Sequence, residues 1–386
     1  MGSPKEYNKR LPQRINEYAV MKYKFGDIIY NITEKRKPTE DDRLNYIGLE
    51  HLDSGNLFVT RWGADHTPEG EKIIMKEGDV LFGKRRAYLK KVAISPIDGV
   101  FSAHGMVLRP KEKVICKEFL PFFISSDYFL NEAIRISVGG LSPTINWKDI
   151  KEIEFNLPSI DEQKRLAVKL WAAYEVKQSY KKMIDAIDNL VEAKFVDMQI
   201  KSSSRNCLGD FIERYTPNKC GNRELPLLSV TKEKAIVFQN ERFDATIASK
   251  DKSEYIVVPK GILVQGIHID ESNFGIQNIV EEGIVSPAYK LWRFKNDNAL
   301  PELIEYYLRS PMAINYFKSI FLGATVKRRQ VVKKEDFLAM PLNFPSKEEQ
   351  FKYYKFYTQS QTSKAELRKS IDAIDKVIKS LINENL

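Results

Sequence analysis

The sequence predicts an α+β fold: two similar, mostly-β globular domains separated by two long antiparallel coiled-coil helices, with an internal pseudo-two-fold repeat. Three observations predict it. Pro158-Ser159-Ile160-Asp161-Glu162-Gln163 is followed 187 residues later (345 − 158 = 187) by Pro345-Ser346-Lys347-Glu348-Glu349-Gln350. Ile-Asp-Ala-Ile-Asp stands at 184–188 and again at 371–375, the same offset (371 − 184 = 187). Two matches with no insertion between them mark one structural unit used twice. Finally, neither Gly nor Pro interrupts 159–203 or 346–386, whereas the segments before them are short apolar runs broken by turn residues. The expected division is a first globular domain over 17–157, a first long helix over 158–203, a second globular domain over 204–344 and a second long helix over 345–386.

Each long helix carries its own start signal. Ser159 and Ser346 precede Glu162 and Glu349 by three residues, the Ser-x-x-Glu capping box that satisfies backbone N–H groups left free by the first turn. Pro158 and Pro345 hold the preceding chain extended. A helix of about 40 residues is roughly 60 Å long at 1.5 Å per residue. Leu367, Ile371, Ile374, Ile378 and Leu381 alternate spacings of four and three, as do Tyr180, Ile184, Ile187 and Val191. That alternation is the seam of a coiled coil, and two such helices in matching phase are expected to pack on each other.

The first globular segment reads as short strands with turns at 25–29, 44–49, 53–59, 76–82, 93–95 and 106–110, with a hairpin signal at Ser54-Gly55-Asn56 and a helix across 118–135. The second repeats the plan more loosely. Leu208-Gly209-Asp210 answers Phe25-Gly26-Asp27, and Leu227–Val230 answers Tyr46–Leu49. Gly261-Ile262-Leu263-Val264 answers Gly78-Asp79-Val80-Leu81, and Ala288–Phe294 answers His104–Arg109. Gly323 answers Gly140. A scaffold must fit its own copy, whereas two binding domains can be tuned to different targets; conserved helices beside divergent domains fit that division.

Composition narrows the class. At 386 residues, 43% hydrophobic and 11% aromatic, the chain can build more than one core. Cys116, Cys207 and Cys220 have no paired spacing, which excludes a disulfide framework and fits a reducing cytoplasm. With four scattered His they make no zinc pattern. No run approaches a membrane span, and no secretion-signal core is seen near residue 1. The net charge of +9, from 61 Lys and Arg against 52 Asp and Glu, is compatible with a polyanionic partner.

Two clusters concentrate that charge. Lys84-Arg85-Arg86-Ala87-Tyr88-Leu89-Lys90-Lys91 and Lys327-Arg328-Arg329-Gln330-Val331-Val332-Lys333-Lys334 each hold five basic residues and no acid. Lys and Arg there would neutralise phosphates, and Arg or Gln could pair with a base edge. An ordinary solvated loop can also be basic, but one cluster in each half favours a polyanion. Arg61 with Trp62, Gln265 and His268 are weaker additions at similar depths. Gly78 to Lys84 fits the phosphate-loop spacing as far as the lysine, but Arg85 stands where Ser or Thr would hold magnesium. Its apolar centre reads as a strand between turn glycines. Asp185, Glu192 and Lys194 read as solvated helix charges, and no catalytic constellation is found.

The order and duplication of these features resemble the specificity (S) subunit of type I restriction–modification systems. The residues that carry the likeness are Gly26-Asp27 and Gly209-Asp210, Gly78-Asp79-Val80-Leu81 and Gly261-Ile262-Leu263-Val264. Gly139-Gly140 and Gly323 follow, then the two Pro-Ser-x-x-Glu-Gln starts. The resemblance implies two target recognition domains, each reading half of a bipartite duplex DNA sequence. The helices would fix the unread spacer and dock two modification (methyltransferase) subunits, with restriction (translocase–nuclease) subunits joining the larger complex. It further implies a non-catalytic chain that binds no cofactor, S-adenosylmethionine, ATP and magnesium being held by the partners. A coiled-coil scaffold whose globular domains bind protein or RNA is the alternative that composition leaves open.

Overall fold

Both long helices form, over Ile160–Lys201 (42 residues) and Lys347–Asn383 (37 residues). At 1.5 Å per residue they are about 63 and 56 Å long. The computed structural model describes residues 21–232, 234–242, 252–267, 269–321 and 332–386. It divides into two units, Met1–Lys182 with Leu367–Leu386 (unit 1) and Met183–Glu366 (unit 2).

In unit 1, β1 (Ile29–Ile32), β2 (Val80–Phe82), β3 (Val92–Ile94) and β4 (Met106–Pro110) form a sheet in the order β1-β4-β2-β3. In unit 2, β5 (Ile212–Arg214), β6 (Leu263–Gln265), β7 (Phe274–Ile276) and β8 (Lys290–Phe294) take the order β5-β8-β6-β7. In each, the first strand lies beside the fourth, then the second, then the third, with all pairs antiparallel. The turn entering β2 holds Gly78 at φ +85°, and the turn entering β6 holds Gly261 at φ +82°, a region that favours glycine. Tyr46–Ile47 runs parallel to Gly99–Phe101 in unit 1, and Leu227 bridges Ile284 in parallel in unit 2. The weaker half of the repeat is therefore a shared topology.

Each sheet packs on short helices and on parts of both long ones. In unit 1, Phe25, Phe82, Phe123, Phe129 and Phe155 are fully buried, and Leu166, Leu170 and Tyr174 of the first long helix join their core together with Ile382 of the second. In unit 2, Phe274, Trp292, Phe317 and Phe337 form the centre, joined by Val191, Phe195 and Met198 of the first long helix and by Tyr353 of the second.

Within each unit the two helix segments run antiparallel. Unit 1 sets Lys177 against Asp375, and a cavity there is lined by Tyr174 and Ile378, one turn on in opposite senses. Unit 2 sets Lys364 against Asp188, while Tyr353 Oη donates to Val191 O at 3.1 Å. Both lysines are almost buried, and the pairs match at the repeat offset (364 − 177 = 187, 375 − 188 = 187). The final Asp of each Ile-Asp-Ala-Ile-Asp stretch is thus a fixed partner for a buried ammonium. Among the seam residues expected from the spacing, Val191 is buried, and Tyr180, Ile184, Ile187, Leu367, Ile371, Ile374, Ile378 and Leu381 are half-buried.

The Gln that ends each Pro-Ser-x-x-Glu-Gln motif is the motif's most constrained side chain. Gln163 is 1% exposed; its Oε1 accepts from Cys116 N at 2.8 Å, and its Nε2 donates to Val114 O at 3.0 Å and Pro158 O at 2.9 Å. Gln350 is 0% exposed and makes the same three bonds, from Leu300 N at 2.9 Å and to Asn298 O at 2.8 Å and Pro345 O at 3.0 Å. Each amide ties the first turn of a long helix to the chain entering the short helix Leu120–Ser125 or Pro301–Leu308.

Several local expectations are corrected. The capping box forms only by its serine half: Ser159 Oγ accepts from Glu162 N at 3.3 Å and Ser346 Oγ from Glu349 N at 3.4 Å, while Glu162 pairs with Arg165. Residues 25–28 form a helical turn, not a strand, because Phe25 and Ile28 face the same core at a spacing of three. Residues 53–59 are not a hairpin; Leu57 N instead donates to Tyr174 Oη at 2.6 Å, docking the loop on the first long helix. The helix expected over 118–135 breaks at Ser126, whose Oγ caps the second piece by accepting from Phe129 N at 3.1 Å. Gly323 lies outside the described residues.

Candidate nucleic-acid interface

The basic loop of unit 1 connects β2 to β3. Gly83 N donates to Lys91 O at 2.9 Å and closes its base. Between these residues the chain makes one 3-10 turn, Ala87–Leu89, bounded by Arg86 (φ 56°) and Lys90 (φ 49°). Left-handed backbone at non-glycine residues costs about 1 kcal/mol each. Two such residues in one short loop turn their side chains outward while Ala87 is buried as the plug.

A second loop braces the first. Val138 and Thr144 bridge each other, Arg85 bridges Thr144, and Arg86 N donates to Pro143 O at 2.7 Å. Ser142 Oγ accepts from Arg85 Nε at 2.8 Å and from Arg86 Nε at 3.3 Å. Both guanidinium groups are therefore held through Nε, and both residues are exposed. Leu141, at the tip of this brace, is 97% exposed. The sequence singles out Gly139-Gly140 but not this bracing, for which the Ser142-Pro143 that follows was the available signal.

The cations expected to contact a polyanion separate into two groups. Arg61 forks onto Asp53, with Nη–O distances of 2.7 and 2.8 Å, and this hydrogen bond holds its guanidinium above its ordinary value. Lys90 pairs with Asp127 at 2.7 Å; Lys379 and then Lys90 hold that carboxyl below the usual range. Lys91 Nζ donates to Leu49 O at 2.6 Å. These three are occupied within the fold. Lys84, Arg85 and Arg86 have no carboxylate partner among the described residues, and Tyr88 and Trp62 are exposed. Burial, then the neighbouring Lys35, pushes the Lys84 ammonium below its ordinary value.

In unit 2, Gln265 is corrected. It is 5% exposed, and its Oε1 accepts from Trp292 Nε1 at 2.9 Å, so it is a core hydrogen bond and not a surface reader. His268, Lys327, Arg328, Arg329 and Gln330 lie outside the described residues. Lys333 and Lys334 are exposed where the helix Lys334–Leu338 begins. The phosphate-loop spacing is resolved as turn, strand, turn, with β2 occupying its centre. Among the described residues no group of three or more His, Cys, Asp or Glu could hold a metal ion, and no helix is long and apolar enough to cross a membrane.

The family model described as the type I restriction modification DNA specificity domain matches residues 19–186. The match covers somewhat less than half of the chain and falls within unit 1 apart from its last few residues. The matched segment contains the braced basic loop. The type I restriction enzyme EcoDI specificity subunit of Escherichia coli is 24% identical over 193 residues, which is 48% of this chain and 42% of that protein. The MjaVIII specificity subunit of Methanocaldococcus jannaschii is 26% identical over 156 residues, 38% of this chain and 33% of that protein. Each match spans less than half of the curated relative. Two solved structures share the fold over nearly the whole chain. One, from work on complex assembly and conformational transition of the type I R-M system, has a TM-score of 0.55 at 17% identity and covers 95% of this chain and 97% of its own. The other, a type I system S subunit from M. genitalium, has a TM-score of 0.52 at 12% identity and covers 95% and 96%.

Proposed function

We propose that this chain is the specificity subunit of a type I restriction–modification complex. Each unit reads one half of a bipartite duplex DNA sequence, and the long helices set the unread spacer between the halves. The observation that carries this reading is the same four-stranded sheet order in both units, one of them matched by the DNA specificity domain model, with different side chains on the loops. In unit 1, Lys84, Arg85 and Arg86 hold the backbone, and the exposed Arg85 and Arg86 address phosphates or a guanine edge. The chain performs no chemistry itself. Two modification subunits dock on the helices and supply methyl transfer with S-adenosylmethionine, and restriction subunits with ATP and magnesium complete the assembly.

The test is the pattern of methylated positions in DNA from cells carrying this chain with its modification partner. A motif of two short halves at a fixed separation is expected. Arg85→Ala with Arg86→Ala relaxes one half and leaves the other intact. A contiguous motif, or equal relaxation of both halves, refutes independent reading units. Methylation that does not depend on this chain refutes the specificity role altogether.

A further inference from the structure

The two units place different chemistry at the same sheet positions. In unit 1, Asn31 of β1 opposes Leu108 of β4, while Val80 and Phe82 of β2 oppose Leu108 and Met106. In unit 2, Arg214 of β5 opposes Trp292 of β8, while Leu263 and Gln265 of β6 oppose Trp292 and Lys290. Arg214 thus stands where unit 1 has Asn31, and Lys290 where it has Met106. The connecting loops change in the opposite sense. Gly266 N donates to Asn273 O at 2.7 Å, as Gly83 N does to Lys91 O, and Ser272 (φ 62°) repeats the left-handed backbone of Lys90. Yet the loop of unit 2 contains Asp270 and Glu271 and no Lys or Arg. Cationic charge is on the loop in one unit and on the sheet in the other.

Arg214 and Lys290 share one face of the sheet, since residues two apart on a strand point the same way. The Arg214 guanidinium lies 5.4 Å from the centroid of the Trp292 ring. Lys290 is half-buried, and its Nζ donates to Val332 O at 3.3 Å. Burial holds both cations below their ordinary values, and Arg214 further lowers Lys290. Neither has a carboxylate partner among the described residues. Two neighbouring like charges on one face, with no carboxylate between them among the described residues, favour an anion that contacts both.

We propose that Arg214 and Lys290 together bind one phosphate of the DNA backbone, performing in unit 2 the task of Lys84, Arg85 and Arg86 in unit 1. This rests on the DNA-reading function given above. A phosphate fits because it offers oxygens to a guanidinium fork and to an ammonium at once. A stacked base does not fit: Trp292 is 1% exposed, and its indole N–H is committed to Gln265.

The test uses the full chain and a duplex carrying its site. Arg214→Asn and Lys290→Met install the side chains that unit 1 accommodates at the same positions, so the double variant should fold. Loss of one neutralised phosphate makes the plot of log affinity against log salt shallower by about 0.9, and affinity falls roughly tenfold at moderate salt. As an independent measurement, neutral methylphosphonate is placed one position at a time in the half-site insensitive to Arg85→Ala and Arg86→Ala. One position should weaken the wild type and leave the double variant unaffected. A folded double variant with unchanged slope, or a scan in which no phosphate of that half-site matters, overturns the assignment while leaving the DNA-reading function in place. Wild-type protein whose duplex binding ignores salt overturns the function itself.

Discussion

Replacing Gln163 by Met keeps the length of the side chain and removes every polar atom from a site that is 1% exposed. Three backbone groups lose their partner: Cys116 N, Val114 O and Pro158 O. A buried group left unsatisfied costs about 1–3 kcal/mol, and three in one pocket relax together, so the expected loss is about 3 kcal/mol. With a urea m-value of about 2.5 kcal/mol/M for a unit of this size, the unfolding midpoint of unit 1 falls by roughly 1 M. Hydrogen exchange read by mass spectrometry checks the mechanism: protection is lost around 114–116 and in the first turn of Ile160–Lys201. Gln350→Met produces the matching loss around Leu300 and Lys347–Asn383. A midpoint shift of less than about 0.3 M for both variants would refute the idea that these amides fasten the long helices to their units.

Three further outcomes are expected. Arg86→Gly relieves left-handed backbone at φ 56°, so thermal stability rises by up to about 1 kcal/mol while duplex affinity falls; a variant that loses both would show that the strain is misassigned. A double-mutant cycle over Lys177→Met and Asp375→Asn gives a coupling of about 1 kcal/mol, modest because the Asp375 side chain is 47% exposed, and an additive cycle would deny that the pair is formed. The Asp42 carboxyl is held below its ordinary value of 3.8, first by the Arg36 guanidinium and also by Thr39. A carboxyl depressed in the folded state adds stability above its unfolded value and loses it as pH falls through the folded one. Asp42→Asn is therefore less stable than wild type at neutral pH, and the gap closes below about pH 4 in urea midpoints measured across pH.

Features set by short-range sterics were legible in the residues themselves. The two helix starts, the uninterrupted runs behind them and the turn glycines Gly78 and Gly261 depend on a few neighbouring residues, and the structure places them as expected. The repeat was legible because an offset of 187 needs no geometry. Local pattern failed where the core sits on one side of a single turn, as at Phe25 and Ile28, and where one polar residue splits a helix, as at Ser126.

The site depended on distance in space. Nothing adjacent in sequence indicates that Arg61 is occupied by Asp53, that Lys90 is held by Asp127, or that Ser142 braces Arg85 and Arg86 from 57 and 56 residues away. Gln163 and Gln350 read as ordinary first-turn residues until loops 47 and 50 residues distant supply their partners. Backbone conformation is chosen by neighbours along the chain. Which charge is neutralised and which polar group is buried is decided by whatever the fold brings alongside, and only the tertiary structure contains that information.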